Sequence, residues 1–363
     1  MHEHFMRGAI ALSRRALGTT WPNPPVGCVL VRDGAIVAQG ITAPGGRPHA
    51  ETQALAMAGA AARGATAYVS LEPCSHHGQT PPCADALIDA GIARVVVAAT
   101  DPDPRVNGAG LARLRAAGIE VLDSVLAPLA ADVLAGFFAR IRLGRPLLTL
   151  KLAATLDGRI ATSTGESQWL TGTPARKHAH ALRGQHDAVM VGVGTVLADD
   201  PDLTCRIPGF SPRPCVRIIA DSHARTPLMA RVVSSATTAP TWILHRNGAD
   251  PARIDALTRA GVRCIEVAAD DLGIAPAAAL AALAAAGLTS VLAEGGARLA
   301  AALLRAGLVD RLAWFTAPAL LGGDGFPAIQ AMGIADLRDM ARFRRVAQRP
   351  VGDDLLAEFT RID

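Results

Sequence analysis

Two short stretches constrain this chain more than any others: "PHAE" at 48–51 and "LEPCSHHGQTPPC" at 71–83. They lie one helix-plus-strand length apart, so a fold that joins them must carry the chain across a sheet and back. The chain has six cysteines, and two of them, Cys74 and Cys83, share that proline- and histidine-rich loop. In a chain without a disulfide framework such a pair reads as metal ligands or catalysts first. Cys28 in "VGCVLV" and Cys264 in "VRCIEV" read as small core residues.

The surrounding pattern is strand and helix in alternation, which implies an α/β sheet with helices on its faces. Residues 1–18 read as an amphipathic helix, and "PVGCVLVRDGAIVAQG" as a hairpin turning at Asp33-Gly34. A helix is expected over 49–62, a strand in "ATAYVSLEP", a helix over 83–90, a strand in "ARVVVAAT", a helix in "GLARLRAAG" and a strand in "IEVL". "RLGRP" at 142–146 marks a junction, and the pattern then restarts. Strand-like runs follow at "LLTLKLAATLDGRI", "DAVMVGVG", "CVRIIADS", "TWILH", "RCIEV", "LTSVLAE" and "RLAWFTA".

With 363 residues, half of them hydrophobic and 19% charged, the chain can bury two sizeable cores and is not disordered. No apolar run reaches the roughly 18–20 residues that span a bilayer. The first residues lack the apolar core and cleavage site of a signal peptide, so a cytoplasmic protein is expected. A net charge of +4 and 4% aromatic residues argue against a nucleic-acid surface, which needs a basic groove and stacking platforms. Lys151 and Lys177 are the only lysines among many arginines. A lysine kept in that background is suspect of a task arginine cannot do.

Catalytic zinc takes three protein ligands and leaves a fourth position for water. His49 at the start of a helix, Cys74 after a strand and Cys83 opening the next helix supply that count. Helix N-termini favour thiolates, so both cysteines should ionise readily. Glu51, two residues from His49, can reach water on the metal without binding metal itself. Zinc lowers the pKa of its water towards ~7, and a carboxylate must then carry protons to a ring nitrogen and a leaving amine. Zinc deaminases of nucleobases carry H-x-E…P-C-x-x-C. "HAE" and "EPC" fit, although eight residues rather than two separate the cysteines. The alternative is a closed four-ligand site completed by His76 or His77, which would leave Glu51 without a task.

"PNPPVGCVLV" (22–31), "GGRPHAE" (45–51), "GATAYVSLEPCSHHGQTPPC" (64–83) and "DPDPRVNGAG" (101–110) resemble the deaminase domain of the bifunctional riboflavin-biosynthesis deaminase/reductases. The resemblance implies a cytidine-deaminase-like three-layer α/β/α domain over 1–144. It implies one zinc ion on His49, Cys74 and Cys83, with Glu51 as proton carrier. It also implies a substrate pocket bordered by Asn23 and by the 76–80 loop with His76 and Thr80. The family usually has histidine where this chain has Thr42, and often a basic residue at Gln79. An altered or slower deaminase, leaving one working domain, is therefore a second expectation.

The second half is less explicit. "VGVGTV" (191–196) lacks the third glycine of a dinucleotide fingerprint. "EGGARL" (294–299) ends a strand and opens a helix, exposing N–H groups to a phosphate. Asp199-Asp200 before proline often form only a turn, and Lys151 lies in an otherwise apolar strand. "KLAATLDGRIA", "GESQWLTG", "VGVGTVLADDPDLTCR", "EGGARLAAALLRAGLVD" and "APALLGG" resemble the reductase domain of the same family. That implies a dihydrofolate-reductase-like α/β fold over 145–363 and NADPH as cofactor. By this resemblance the substrate meets Ser167, Arg183, Leu203, Arg206 and Glu294. The cofactor meets Ala153, Trp169, Thr195, Asp199, Ser222 and the turn at Gly296. Lys151 and Asp199 are the candidates for polar chemistry at the ribose, and two arginines suit a phosphorylated sugar. The expected partner is a small-molecule phosphoribosylaminopyrimidine, with no nucleic acid and no membrane, and a homo-oligomer (dimer or tetramer). The rivals are a nucleic-acid-editing deaminase and a structural-zinc scaffold.

Overall fold

The computed structural model describes residues 1–362 apart from Gln79 and Leu272. The chain divides into two compact units, Met1–Gly144 and Arg145–Asp363. In the first, the order is α1 (His2–Arg14), β1 (Gly27–Arg32), β2 (Ala35–Ile41), α2 (Ala50–Ala58) and β3 (Thr66–Val69). There follow α3 (Cys83–Asp89), β4 (Arg94–Val97), α4 (Ala109–Ala116), β5 (Glu120–Leu122) and α5 (Ala127–Leu143).

These strands form one sheet, β2-β1-β3-β4-β5, antiparallel among the first three and parallel from β3 to β5. The parallel strands are short apolar runs because helices cover both faces. α1 packs with α5, while α2, α3 and α4 follow one another. The β1–β2 turn falls at Asp33-Gly34, both at positive φ, as a two-residue hairpin of this twist requires.

What matters for the site is how closely α2 is held. Gly40 on β2 pairs with Cys28, and a Cβ on Gly40 would collide with the carbonyl oxygen of Ala50. The first turn of α2 therefore rests on the sheet at backbone distance. Gln53 adds a second tie, its Nε2 donating to the carbonyls of Ile41 and Pro48. The helix is shorter than expected: Gly59 takes a positive φ and a 3₁₀ turn, Gly59–Ala62, replaces its end. α5 is not anticipated above, yet its buried Ala130, Val133, Leu134, Phe137 and Phe138 have regular helical spacing.

The second unit begins with β6 (Leu147–Thr155), β7 (Arg159–Ala161), α6 (Thr173–Gly184), β8 (Ala188–Gly192), α7 (Val193–Asp199) and β9 (Val216–Ala220). It continues through α8 (Arg231–Ser234), β10 (Thr241–Arg246), α9 (Pro251–Arg259), β11 (Arg263–Val267), β12 (Ala269–Asp270), β13 (Gly273–Ile274) and α10 (Pro276–Ala285). It closes with β14 (Ser290–Glu294), α11 (Ala297–Arg305), β15 (Arg311–Ala317), β16 (Phe326–Pro327), β17 (Phe343–Val351) and β18 (Asp354–Arg361).

Its main sheet has nine strands in the order β11-β10-β9-β8-β14-β6-β15-β18-β17. Neighbours from β11 to β15 are parallel, and the β17–β18 hairpin adds antiparallel to that edge. In such sheets ligands bind outside the carboxyl ends of the strands. No helix among the described residues is long and apolar enough to cross a membrane.

Candidate active sites

In the first unit His49 is the residue before α2, and Cys83 is the first residue of α3. β3 stops at Val69, so Cys74 sits further beyond the strand than expected. The chain nevertheless stays extended there: Ser70 N donates to Gly27 O and Glu72 N to Ala99 O. His49 Nδ1 lies 3.3 Å from Cys83 Sγ and 3.7 Å from Cys74 Sγ. The three donor atoms lie within 4.8 Å of one another. Neither His76 nor His77 joins this group, so a fourth protein ligand is not found among the described residues.

The donor set suits zinc: two sulfurs and one imidazole, the three protein ligands that a catalytic zinc site takes. A hydrogen bond from Cys83 holds the Cys74 pKa down to about 4, against the opposing effect of burial. The Cys83 backbone N–H, at the start of α3, also donates to Cys74 Sγ at 3.3 Å. Cys83 is pushed up, because its proton is the one shared with Cys74 and because it is buried. The two sulfurs thus share one proton across their contact, and the positive charge of a bound cation would favour its release.

Glu51 is buried, at 4% exposure, in the first turn of α2. Burial pushes its pKa up to about 7, partly offset by the charge of His49. Asn23 donates from Nδ2 to Gly46 O at 3.0 Å, which fixes it on the turn before His49. His76 is half-buried, and Thr80 accepts a hydrogen bond from Arg47. Gln79 lies outside the described residues. Thr42 is 2% exposed, and its Oγ1 accepts from Val26 N at 3.0 Å. It acts as a backbone tie between β2 and β1.

In the second unit a buried ion cluster spans three elements. Glu294, the last residue of β14, takes the fork of Arg183 from α6: Oε1 to Nε at 2.7 Å and Oε2 to Nη2 at 2.9 Å. Lys151 on β6 pairs in register with Glu294, its Nζ 4.0 Å from Oε2. Burial tends to raise Glu294, but Arg183 and Lys151 outweigh it and hold the pKa down at about 2. Burial pushes Lys151 down while Glu294 opposes that. The lysine is thus not on a solvated face. Ala153 is half-buried two residues on, so it shares that face of β6 with Lys151.

Arg183 has its fork committed to Glu294, with Nη1 on Thr204 O. The pair of phosphate-binding arginines expected above is therefore unequal, and Arg206 is the freer one. Its side chain meets His180 Nε2 and Asp202 and is 56% exposed. Leu203, next in the chain after Asp202, is buried at positive φ. Thr195 opens toward Gly295, where a Cβ would meet its Oγ1. Gly296 caps α11, and Ser222 follows β9 with its Oγ accepting from Ile274 N. Ser167 is half-buried, and Trp169 is exposed with the Arg176 guanidinium 4.9 Å from its ring centre. Asp199 is exposed at the end of α7 and takes no part in the Lys151–Glu294–Arg183 cluster.

Residues 1–99 match the cytidine and deoxycytidylate deaminase zinc-binding region, and residues 146–356 match the RibD C-terminal domain. The riboflavin biosynthesis protein RibD of Bacillus amyloliquefaciens is 41% identical over 356 residues, covering 98% of this chain and 95% of that protein. RibD of Escherichia coli K12 is 42% identical over 364 residues, with 97% of each covered. A solved Thermotoga maritima structure, a diaminohydroxyphosphoribosylaminopyrimidine deaminase/5-amino-6-(5-phosphoribosylamino)uracil reductase, aligns with a TM-score of 0.86 at 35% identity, covering 100% of this chain and 99% of that one. With both halves matched nearly end to end, the chain belongs to the RibD family of bifunctional riboflavin-biosynthesis deaminase/reductases.

Proposed function

We propose that this chain performs two consecutive steps of riboflavin biosynthesis, with residues 1–144 deaminating 2,5-diamino-6-(5-phosphoribosylamino)pyrimidin-4-one and residues 145–363 reducing its ribosyl group to ribityl. The convergence of His49, Cys74 and Cys83 beside the buried Glu51 carries this reading. Zinc, when bound there, supplies an acidified water and a Lewis acid. Glu51, with its pKa near neutrality, suits a group that accepts a proton from the attacking water and passes it to the ring nitrogen and then to the leaving amine. Water is consumed, the ring C–N bond breaks, a C–O bond forms and ammonia leaves. Asn23, His76 and Thr80 are assigned to orienting the pyrimidine.

In the second step a nicotinamide cofactor, NADPH in this reading, supplies the hydride that C1′ receives. Ala153, Trp169, Thr195, Asp199, Ser222 and Gly296 are assigned to that cofactor. Ser167, Arg183, Leu203, Arg206 and Glu294 are assigned to the phosphoribosyl substrate, with Arg206 offering the freer fork to the phosphate. As the sugar C–O bond breaks, the ring oxygen takes a proton. Of Lys151 and Asp199, the buried lysine in the ion cluster is the better-placed donor. A homodimer or tetramer belongs to the same reading, and light scattering tests it.

The test is a mass-spectrometric product assay on zinc-loaded protein, run with and without NADPH. The amine-to-oxygen product should form without NADPH and the ribityl product only with it. Reduction of supplied deaminated compound without any deamination would instead leave one working domain and point to Thr42. Failure of both half-reactions would overturn the reading.

A further inference from the structure

α4 carries no metal ligand, yet it bonds to both segments that carry the sulfurs. Glu72, two residues before Cys74, is 3% exposed. Its carboxylate accepts four backbone N–H groups: Gly110 at 2.9 Å and Leu111 at 3.3 Å on Oε1, Gly108 at 3.0 Å and Asp101 at 3.2 Å on Oε2. That fills the acceptor sites of an ionised carboxylate and seats the start of α4 on the segment leading to Cys74. The seat is tight, since a Cβ on Gly110 would collide with the carbonyl oxygen of Pro73.

One turn along α4, Arg113 reaches both ligand segments. Its Nη1 donates to Ser75 O at 3.4 Å, directly after Cys74. Its Nε and Nη2 grip the carboxylate of Asp85 at 2.5 and 2.9 Å, two residues after Cys83. One guanidinium thus bridges the loop that carries one sulfur and the helix that carries the other.

We propose that Arg113, seated by Glu72, is a positioning residue that sets the separation and orientation of the Cys74 and Cys83 sulfurs for zinc. Magnitudes separate this role from a merely structural one. The Arg113 side chain is 45% exposed and Asp85 24%, and ion pairs of that kind contribute little to folding. Groups bonded directly to a metal ligand change metal affinity or activity by about 10–100-fold; Arg113 acts one step further out, through Ser75 and Asp85, so a smaller change, about 3–10-fold, is expected.

The inference rests on the zinc reading above. The test uses the full chain, parent and R113Q, loaded with zinc and separately with cobalt(II). Zinc transfer to a chromophoric chelator should be about 3–10-fold faster in R113Q, below the range for direct partners of a ligand, and the thiolate-to-cobalt absorption band should shift or weaken. The NADPH-dependent reduction of supplied deaminated compound, in the other half of the chain, should stay unchanged. D85N should reproduce R113Q, with the double variant no worse than either. Transfer rate and cobalt band within twofold of the parent in both variants would overturn the inference. So would loss of the folded deaminase unit in both, because the bridge would then be scaffold. A parent chain that binds neither metal would overturn the zinc reading itself, a distinguishable result.

Discussion

Lys151 and Glu294 stand opposite each other on neighbouring parallel strands, and the carboxylate that faces the lysine also holds the fork of Arg183. One buried anion therefore answers two cations. Glu294→Gln would leave both facing a neutral amide. Removing one partner from a buried ionic group costs about 3 kcal/mol or more. Urea unfolding should report that loss for the second unit, and reductase turnover should fall at least ~100-fold through lost electrostatic organisation. Deamination, assayed in the same preparation, should be retained.

The pH dependence of stability has a specific expected source in His186. It is buried, with Nδ1 2.7 Å from Leu182 O and Nε2 2.9 Å from Thr149 Oγ1. Burial pushes its pKa down to about 4, whereas the unfolded chain takes up the proton near ~6.5. Between those values the unfolded state binds more protons. Stability is therefore fully present above ~6.5 and declines as pH falls towards 4, by up to about 3 kcal/mol. Urea midpoints measured across that range should show the slope, and His186→Gln should flatten it.

Ligand and proton carrier should separate cleanly in the deaminase unit. Cys74→Ser or Cys83→Ser removes a donor and should abolish both bound zinc and deamination, with reduction of supplied deaminated compound intact. Glu51→Gln should keep zinc while lowering deamination by roughly 10²–10⁴-fold, the usual worth of a positioned acid–base group. Metal content by mass spectrometry alongside the two half-reactions distinguishes the cases.

Thr42 is the position where the family pattern and this chain diverge, and its burial makes a definite expectation. Thr42→Val keeps the shape but leaves the Val26 N–H without its side-chain acceptor, a loss of about 1–3 kcal/mol. Thr42→His must fit a ring into a site that is 2% exposed, and overpacking costs about 1–3 kcal/mol. Both should lower the unfolding midpoint. A faster deaminase with unchanged stability in Thr42→His would show that the site is more open than described.

The metal ligands and most strands were legible in the sequence because they rest on local signals: a motif of fixed chemistry, Asp-Gly at a hairpin, apolar runs between turns. α5 carries an equally local pattern at Ala130, Val133, Leu134, Phe137 and Phe138, and runs into the junction at 142–146. The ion cluster was different. Nothing near Lys151 announces Glu294; the pair exists because β6 lies next to β14 in the sheet, a matter of topology over more than a hundred residues. The same holds for Arg113, whose partners Ser75 and Asp85 are far upstream. The unequal exposure of Arg183 and Arg206 likewise depends on tertiary partners, the buried Glu294 for the first and His180 with Asp202 for the second.

Gly40 bears no functional atom, yet its missing side chain lets Ala50 lie flat on β2. Any larger residue there would lift the helix end that carries His49 and Glu51 together, as a shim under one foot tilts a table. In a saturation mutagenesis scored by deaminase output, position 40 should therefore be as unforgiving as the ligands themselves. The same substitutions should leave reductase output untouched. A map of intolerant positions would then trace the mounting of the metal centre as well as the centre, and a reader of that map without the structure would count Gly40 as chemistry.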